Sequence, residues 1–204
     1  MIKKQLTMPT TGDAPERVLA AALDLFTRKG YAATTVREIV EAAGVSKPVL
    51  YYHFGNKEGL YLAIMRQNFS LFEETVAAIV DSDGTASERL LAFCQALFDC
   101  LCANILRARL IYAMHFGPPQ GAPIFDLSSF FSRMLEITRA MIGEGIEAGL
   151  IASADPESLV WAIVGSLNTI MEEQLTPEPR IDRDNLTKVI RLILEGAKVK
   201  EDPS

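Results

Sequence analysis

The sequence predicts an all-α protein: an N-terminal three-helix head joined by a long fourth helix to a helical body, about nine helices in all. Three observations carry this expectation. No run of four or more residues alternates apolar and polar positions with β-branched enrichment, and no Asn-Gly or Asp-Gly turn separates two such runs. Apolar residues recur instead at helical spacing along the chain. Start and stop signals fall where that periodicity begins and ends, with Pro, Asp, Ser or Thr at starts and Gly at ends.

The first helix runs from near Pro15 to Gly30, with Val18, Ala22, Leu25 and Phe26 on one stripe. The second opens at Thr35, whose pairing with Glu38 makes a capping box, and turns Val36, Ile39, Val40 and Ala43 inward until Gly44 stops it. Ser46 can cap a third helix that tolerates Pro48 in its first turn and buries Leu50 and Phe54. Gly55-Asn56 breaks it, and Asn56 caps a long fourth helix reaching about Val80. Further helices are expected near 86–103, 104–115, 126–148, 156–175 and 182–199, the fourth of them opened by Asp155-Pro156-Glu157. Residues 117–123 (GPPQGAP) must form a loop, because three prolines and two glycines cannot continue a helix. The resulting division is a flexible tail at 1–14, a head at 15–60 and a body at 61–200.

The 204 residues are 49% apolar and 23% charged, which favours a packed globule over a disordered chain. No signal peptide is visible in the first fourteen residues, and no stretch of about eighteen apolar residues follows, so the expected location is the cytoplasm without a membrane partner. Three cysteines at irregular spacing fit a reducing compartment, and neither a metal site nor a cofactor is expected. The net charge of −6 looks unfavourable for nucleic acid. It is unevenly spread: residues 1–60 hold 8 Lys and Arg against 6 Asp and Glu, whereas residues 61–204 hold 12 against 20. A mildly basic head on an acidic body suits a chain whose head alone meets phosphates.

Between Gly30 and Asn56, two short helices are joined by the tight turn Ala43-Gly44-Val45, which is helix-turn-helix spacing. A major groove admits one helix while the crossing helix lies over the backbone. Burying Leu50 and Phe54 leaves Lys47, Val49, Tyr51, Tyr52 and His53 outside, a surface suited to phosphate, sugar and base edges. Tyr51 can instead turn its ring onto the first helix, and His53 can be an ordinary surface residue. Lys57 stands in the first turn of the fourth helix, where its charge adds to backbone amides facing phosphate.

The segment GYAATTVREIVEAAGVSKPVLYYHFGNKEGLYLAI closely resembles the DNA-binding region of TetR-like transcriptional repressors, most specifically in S-K-x-x-L-Y-Y-H-F-x-x-K at Ser46–Lys57. The resemblance covers about residues 15–65. It implies phosphate contact by Thr35, base reading by the third helix and a backbone grip by the Tyr-Tyr-His run and the following Lys. The matching positions are Thr35, Ser46, Lys47, Tyr51, Tyr52, His53 and Lys57. Pro48, where many members carry Gly or Ala, and Val49 complete the expected DNA-binding set.

The resemblance also implies a ligand-binding and dimerisation body. The helix near 156–175 is apolar on nearly all sides and the last helix carries a stripe, so Leu159, Ile163, Leu167, Ile170, Leu186, Val189, Ile190 and Ile193 are expected at a homodimer interface. Two heads then read a palindromic operator on double-stranded DNA, with recognition helices about 34–36 Å apart. Aromatic and sulfur side chains gather at Phe69, Phe72, Phe93, Cys94, Phe98, Met114, Phe116, Phe130 and Met134, and with Trp161 they suggest a cavity for an apolar or aromatic effector, oriented by Asn104, His115 or Glu136. Ordinary core packing explains the same residues one by one. The expected function is an effector-released repressor, its fourth helix carrying movement from pocket to head. An enzyme is not expected, because no nucleophile, phosphate-loop or metalloprotease motif occurs. The alternative is an all-helical adaptor that uses the head for protein contact.

Overall fold

The computed structural model describes residues 13–80, 82–117, 121–152 and 155–198. Among them lie nine helices: α1 (Ala14–Lys29), α2 (Val36–Ala43), α3 (Lys47–Phe54), α4 (Lys57–Val80), α5 (Ala86–Ala103), α6 (Ile105–Phe116), α7 (Ser128–Glu147), α8 (Pro156–Glu173) and α9 (Arg183–Gly196). The described residues hold no strand, only an isolated bridge between Ile151 and Lys198. The expected tail at 1–14 lies outside the described residues up to residue 12.

Local chemistry sets the helix ends. Asp13 accepts from the Glu16 amide at 3.0 Å to open α1, and capping boxes open α2 (Thr35, Glu38), α5 (Thr85, Glu88) and α9 (Asp182, Asn185). Each such cap contributes about 1 kcal/mol. The α2–α3 turn depends on Gly44, whose φ of +63° is left-handed; a Cβ there would meet no atom within 4 Å, so conformation alone requires the glycine.

The chain parts into two compact units, Met1–Phe69 with Leu106–Phe125, and Ser70–Ile105 with Asp126–Ser204. The division therefore falls inside the unbroken α4 and gives α6 to the first unit, whereas the sequence reading puts the change from head to body at residue 60. In the first unit, α1 packs on α2 and α3. Phe26, Ile39, Leu50, Leu60, Tyr61, Ile64 and Met65 are buried there, and a buried side chain of this size contributes about 1.5–3 kcal/mol. Tyr31 lies between Phe26 and Tyr61 with ring centroids 5.3 Å from each. Helix α6 joins through Thr27, whose hydroxyl donates to the Leu106 carbonyl at 3.3 Å, and through Arg107, which donates to Gln67 at 3.2 Å and Asn68 at 3.1 Å. Burial lowers the pKa of Arg107.

In the second unit, α5 packs against α7, α8 and α9, and α8 packs against α7 and α9. Their shared core includes Phe93, Cys94, Ile142, Val160, Ile163, Val164, Leu186 and Ile190. Burial pushes the Cys94 thiol up to about 12. Gly145 permits the turn after α7 to close, because a Cβ would lie 2.5 Å from Ile151 Cδ1. Among the described residues no single helix is long and apolar enough to cross a membrane.

Candidate nucleic-acid interface

Helix α3 is anchored by Leu50, which is fully buried, while Phe54 is half-buried. That anchoring turns the rest of the helix outward. Tyr52 is 85% exposed and Tyr51 47%, with Ser46, Lys47, Pro48 and His53 also exposed and Val49 half-buried. The Tyr52 and His53 rings meet edge to face at 4.9 Å. No acid occurs between Lys47 and Lys57, so this flank offers only neutral donors and positive charge. Ser46 occupies the N-cap position without a side-chain cap bond, contrary to the cap expected of it. Its hydroxyl therefore competes with no intrahelical partner.

Two of the expected DNA contacts are committed inside the chain. The Thr35 hydroxyl donates to Glu38 Oε2 at 2.9 Å and accepts from the Glu38 amide at 3.3 Å. A hydrogen bond from Lys29, then bonds from the Thr35 amide and hydroxyl, hold the Glu38 carboxyl at about 2 against an ordinary 4.5. To reach a phosphate, Thr35 must exchange that carboxylate for it. The Lys57 ammonium donates to the carbonyls of Tyr31 and Thr34, each at 3.0 Å, and lies 4.1 Å from the centre of the Tyr31 ring. It is turned inward, where the sequence reading aimed it at phosphate. Asn56 caps α4 as expected, accepting from the Gly59 amide at 2.7 Å.

The residues expected to line one effector cavity are divided between the units. Phe69, Met114, His115 and Phe116 belong to the first; Phe72, Phe93, Cys94, Phe98, Asn104, Phe130, Met134 and Trp161 belong to the second. Phe72, Phe93, Cys94, Phe98 and Met134 are buried in the second unit's core, with Phe130 packed on Phe72 at 5.3 Å between centroids. Phe116, His115 and Trp161 are exposed, and Glu136 is exposed as well. The Asn104 side-chain amide donates to the Cys100 carbonyl at 2.9 Å, at the end of α5. Trp161 leaves the core because one residue past Val160 is about 100° round the helix, off the buried stripe.

The expected dimer residues are likewise redistributed. Leu159, Ile163, Leu167, Ile170, Leu186 and Ile190 are buried within the single chain, and Val189 and Ile193 pack partly against the same core. They cover α5 and one another, which satisfies their stripes without a second copy. The sides of α8 and α9 left to solvent carry Trp161, 52% exposed, with Ala162 and Thr169, and Leu192, 71% exposed. Among the described residues no group of three or more His, Cys, Asp or Glu could hold a metal ion.

A short helix fixed by its buried leucine, its outer flank rich in tyrosine and free of acid, following a tight glycine turn from a capped partner helix, defines a helix-turn-helix DNA-binding transcriptional regulator. Comparison with known proteins agrees. A family model described as bacterial regulatory proteins, tetR family, matches residues 18–64. The HTH-type transcriptional activator FasR of Mycolicibacterium smegmatis is 33% identical over 158 residues, 71% of this chain and 70% of that protein. The HTH-type transcriptional regulator RutR of Escherichia coli is 28% identical over 151 residues, 73% of this chain and 69% of that protein. A tetR-family regulatory protein from Rhodococcus RHA1 superposes with a TM-score of 0.68 at 25% identity, covering 94% of this chain and 100% of its own. The chain belongs to the TetR family of bacterial transcriptional regulators.

Proposed function

We propose that the protein is a homodimeric repressor that occupies a palindromic operator with its paired α3 helices and is released by a small apolar or aromatic effector. The observation that carries the DNA reading is the outward Tyr51-Tyr52-His53 flank on a helix pinned by Leu50. Tyr52, Tyr51 and His53 grip phosphate and sugar, Ser46, Lys47, Pro48 and Val49 enter the groove, and Thr35 meets phosphate from α2. One short helix reads few base pairs, and each good base contact discriminates by about 1–3 kcal/mol, so two heads are needed for a specific site. The second copy joins through the solvent sides of α8 and α9, which carry the exposed Trp161 and Leu192.

The effector lodges among the apolar side chains of the second unit, between α5, α7 and α8, and its binding favours a dimer whose heads fit the operator poorly, with α4 transmitting the change. The protein acts in the cytoplasm. Footprinting the full chain on DNA flanking its own gene tests the reading: protection of two half-sites about one helical turn apart supports it. Absence of protection on any flanking fragment refutes it. A reporter fused to that promoter separates repression from activation, because deleting the regulator raises expression in the first case and lowers it in the second.

A further inference from the structure

Lys57 opens α4, yet its ammonium reaches back over the whole helix-turn-helix. The hydrogen bond to the Thr34 carbonyl joins residues 23 apart, and the bond to the Tyr31 carbonyl joins residues 26 apart. Thr34 directly precedes Thr35, the cap of α2, so this contact ties the start of α4 to the start of α2. Everything between the two ends, namely α2, the Gly44 turn and α3, is thereby closed into one loop. The receiving segment is itself firm. Tyr31 and Thr34 are buried, the Tyr31 carbonyl also accepts from the Thr34 amide at 3.2 Å, and the Thr34 hydroxyl donates to the Gly30 carbonyl at 2.8 Å.

We infer that Lys57 is a positioning residue for DNA binding: it latches the two ends of the helix-turn-helix together and so fixes the attitude of α3, and it does not neutralise a phosphate. The inference rests on the DNA-binding reading above and refines the part this lysine plays in it. An ammonium has three donor directions. Two are taken by carbonyls, and the cation sits over the Tyr31 ring at 4.1 Å, within the range where a ring face attracts a cation. Turning the ammonium fully towards a phosphate would break two charge-assisted hydrogen bonds, each stronger than a neutral one, and would lift it off the Tyr31 ring. The moorings of α3 itself are Leu50 in the core and the packing of α1 and α2, which set its depth, while the latch sets the spacing of the flanking helix starts. A held geometry costs less ordering on binding than a loose one.

The test compares wild type with Lys57→Met, which keeps the length and removes every donor, and with Lys57→Arg, which keeps a cation with several donors. Affinity for the footprinted duplex is measured across a salt series, well below each variant's unfolding midpoint so that all molecules are folded. Lys57→Met is expected to weaken binding by about tenfold or more, the loss of about 1.4 kcal/mol of alignment, with the slope of log affinity against log salt unchanged. Lys57→Arg recovers most of that loss. Amide exchange in α2 of the free protein speeds up in Lys57→Met and returns towards wild type in Lys57→Arg. A slope that falls by about 0.9 per head, about 1.8 for the dimer, shows lost phosphate contacts and overturns the inference. Affinity that is unchanged while only the unfolding midpoint drops overturns it too, leaving a purely stabilising role. If Lys57→Met does not fold, a Lys57→Arg protein with wild-type stability and a reduced slope or unrecovered affinity overturns it equally. Wild-type protein that binds no duplex sinks the DNA-binding reading first, and is recognised by that result alone.

Discussion

Replacing Tyr52 by Phe and by Ala separates what the outer flank of α3 does for DNA from what it does for the fold. The side chain is 85% exposed and touches only the edge of the neighbouring His53 ring among described aromatic contacts. A surface substitution away from the core changes stability within about 0.5 kcal/mol, which for a protein of this size moves the melting midpoint by about 1–2 °C. On DNA the same hydroxyl is expected to donate to a phosphate oxygen, a charged acceptor, for about 1.5 kcal/mol. Two heads on one operator double that to about 3 kcal/mol, or about 150-fold in affinity. Because tyrosine is neutral, Tyr52→Phe releases no counterion and leaves the salt slope as it was. Tyr52→Ala loses the ring's packing on sugar in addition and binds more weakly still. Fluorescence anisotropy on the footprinted duplex, beside thermal melting of each variant, gives both quantities. Affinity within twofold of wild type, or a melting midpoint lowered by several degrees, refutes the reasoning, the second because it means the ring is part of the packing.

Leu50→Ala empties a fully buried site and is expected to cost about 2–5 kcal/mol; chemical denaturation reading under 1 kcal/mol contradicts the anchoring of α3. Thr138 is fully buried in α7 with a hydroxyl that has no hydrogen-bond partner among the described residues, so Thr138→Val should be neutral or stabilising by about 1 kcal/mol, and a clear loss of stability reveals a partner. Leu192→Asp places charge on the exposed side of α9 and should shift the species seen in sedimentation from dimer towards single chains; an undiminished dimer excludes that face. The Glu38 carboxyl, held at about 2 against 4.5, contributes stability above the higher value that is lost as pH falls towards the lower. Glu38→Gln should therefore reduce the drop in melting midpoint between about pH 5 and about pH 3 relative to wild type, and an equal drop in both proteins removes this carboxyl as its source.

What the sequence makes legible is what neighbouring residues decide. The Thr35-Glu38 pair announces the start of α2 and the structure closes both halves of that box; the reach of α4 to Val80 follows from the absence of Gly and Pro between Leu60 and Val80. Periodicity also identifies Leu186, Ile190 and Leu194 as a buried stripe, but it cannot say what buries them, and the core of the same chain does so. Nor does periodicity say that Trp161 and Phe116, both apolar, stand largely exposed in the single chain. Contacts between distant residues leave no local trace. Nothing near Lys57 signals that its partners are Tyr31 and Thr34, and nothing near Leu106 signals a bond from Thr27, 79 residues earlier.

That last bond bears on how this protein can be cut and recombined. Leu110 and Ala108 of α6 are buried, and Arg107 spans Gln67 and Asn68 at the end of the first unit's share of α4. Severing the polypeptide within α4 to graft this reading head onto a foreign sensor leaves α6 behind, stripping Asn68 of its guanidinium and leaving Thr27 only its Leu23 acceptor within α1. A hybrid regulator that retains specificity must therefore carry residues 106–125 along with the N-terminal part, as a discontinuous transplant with three seams.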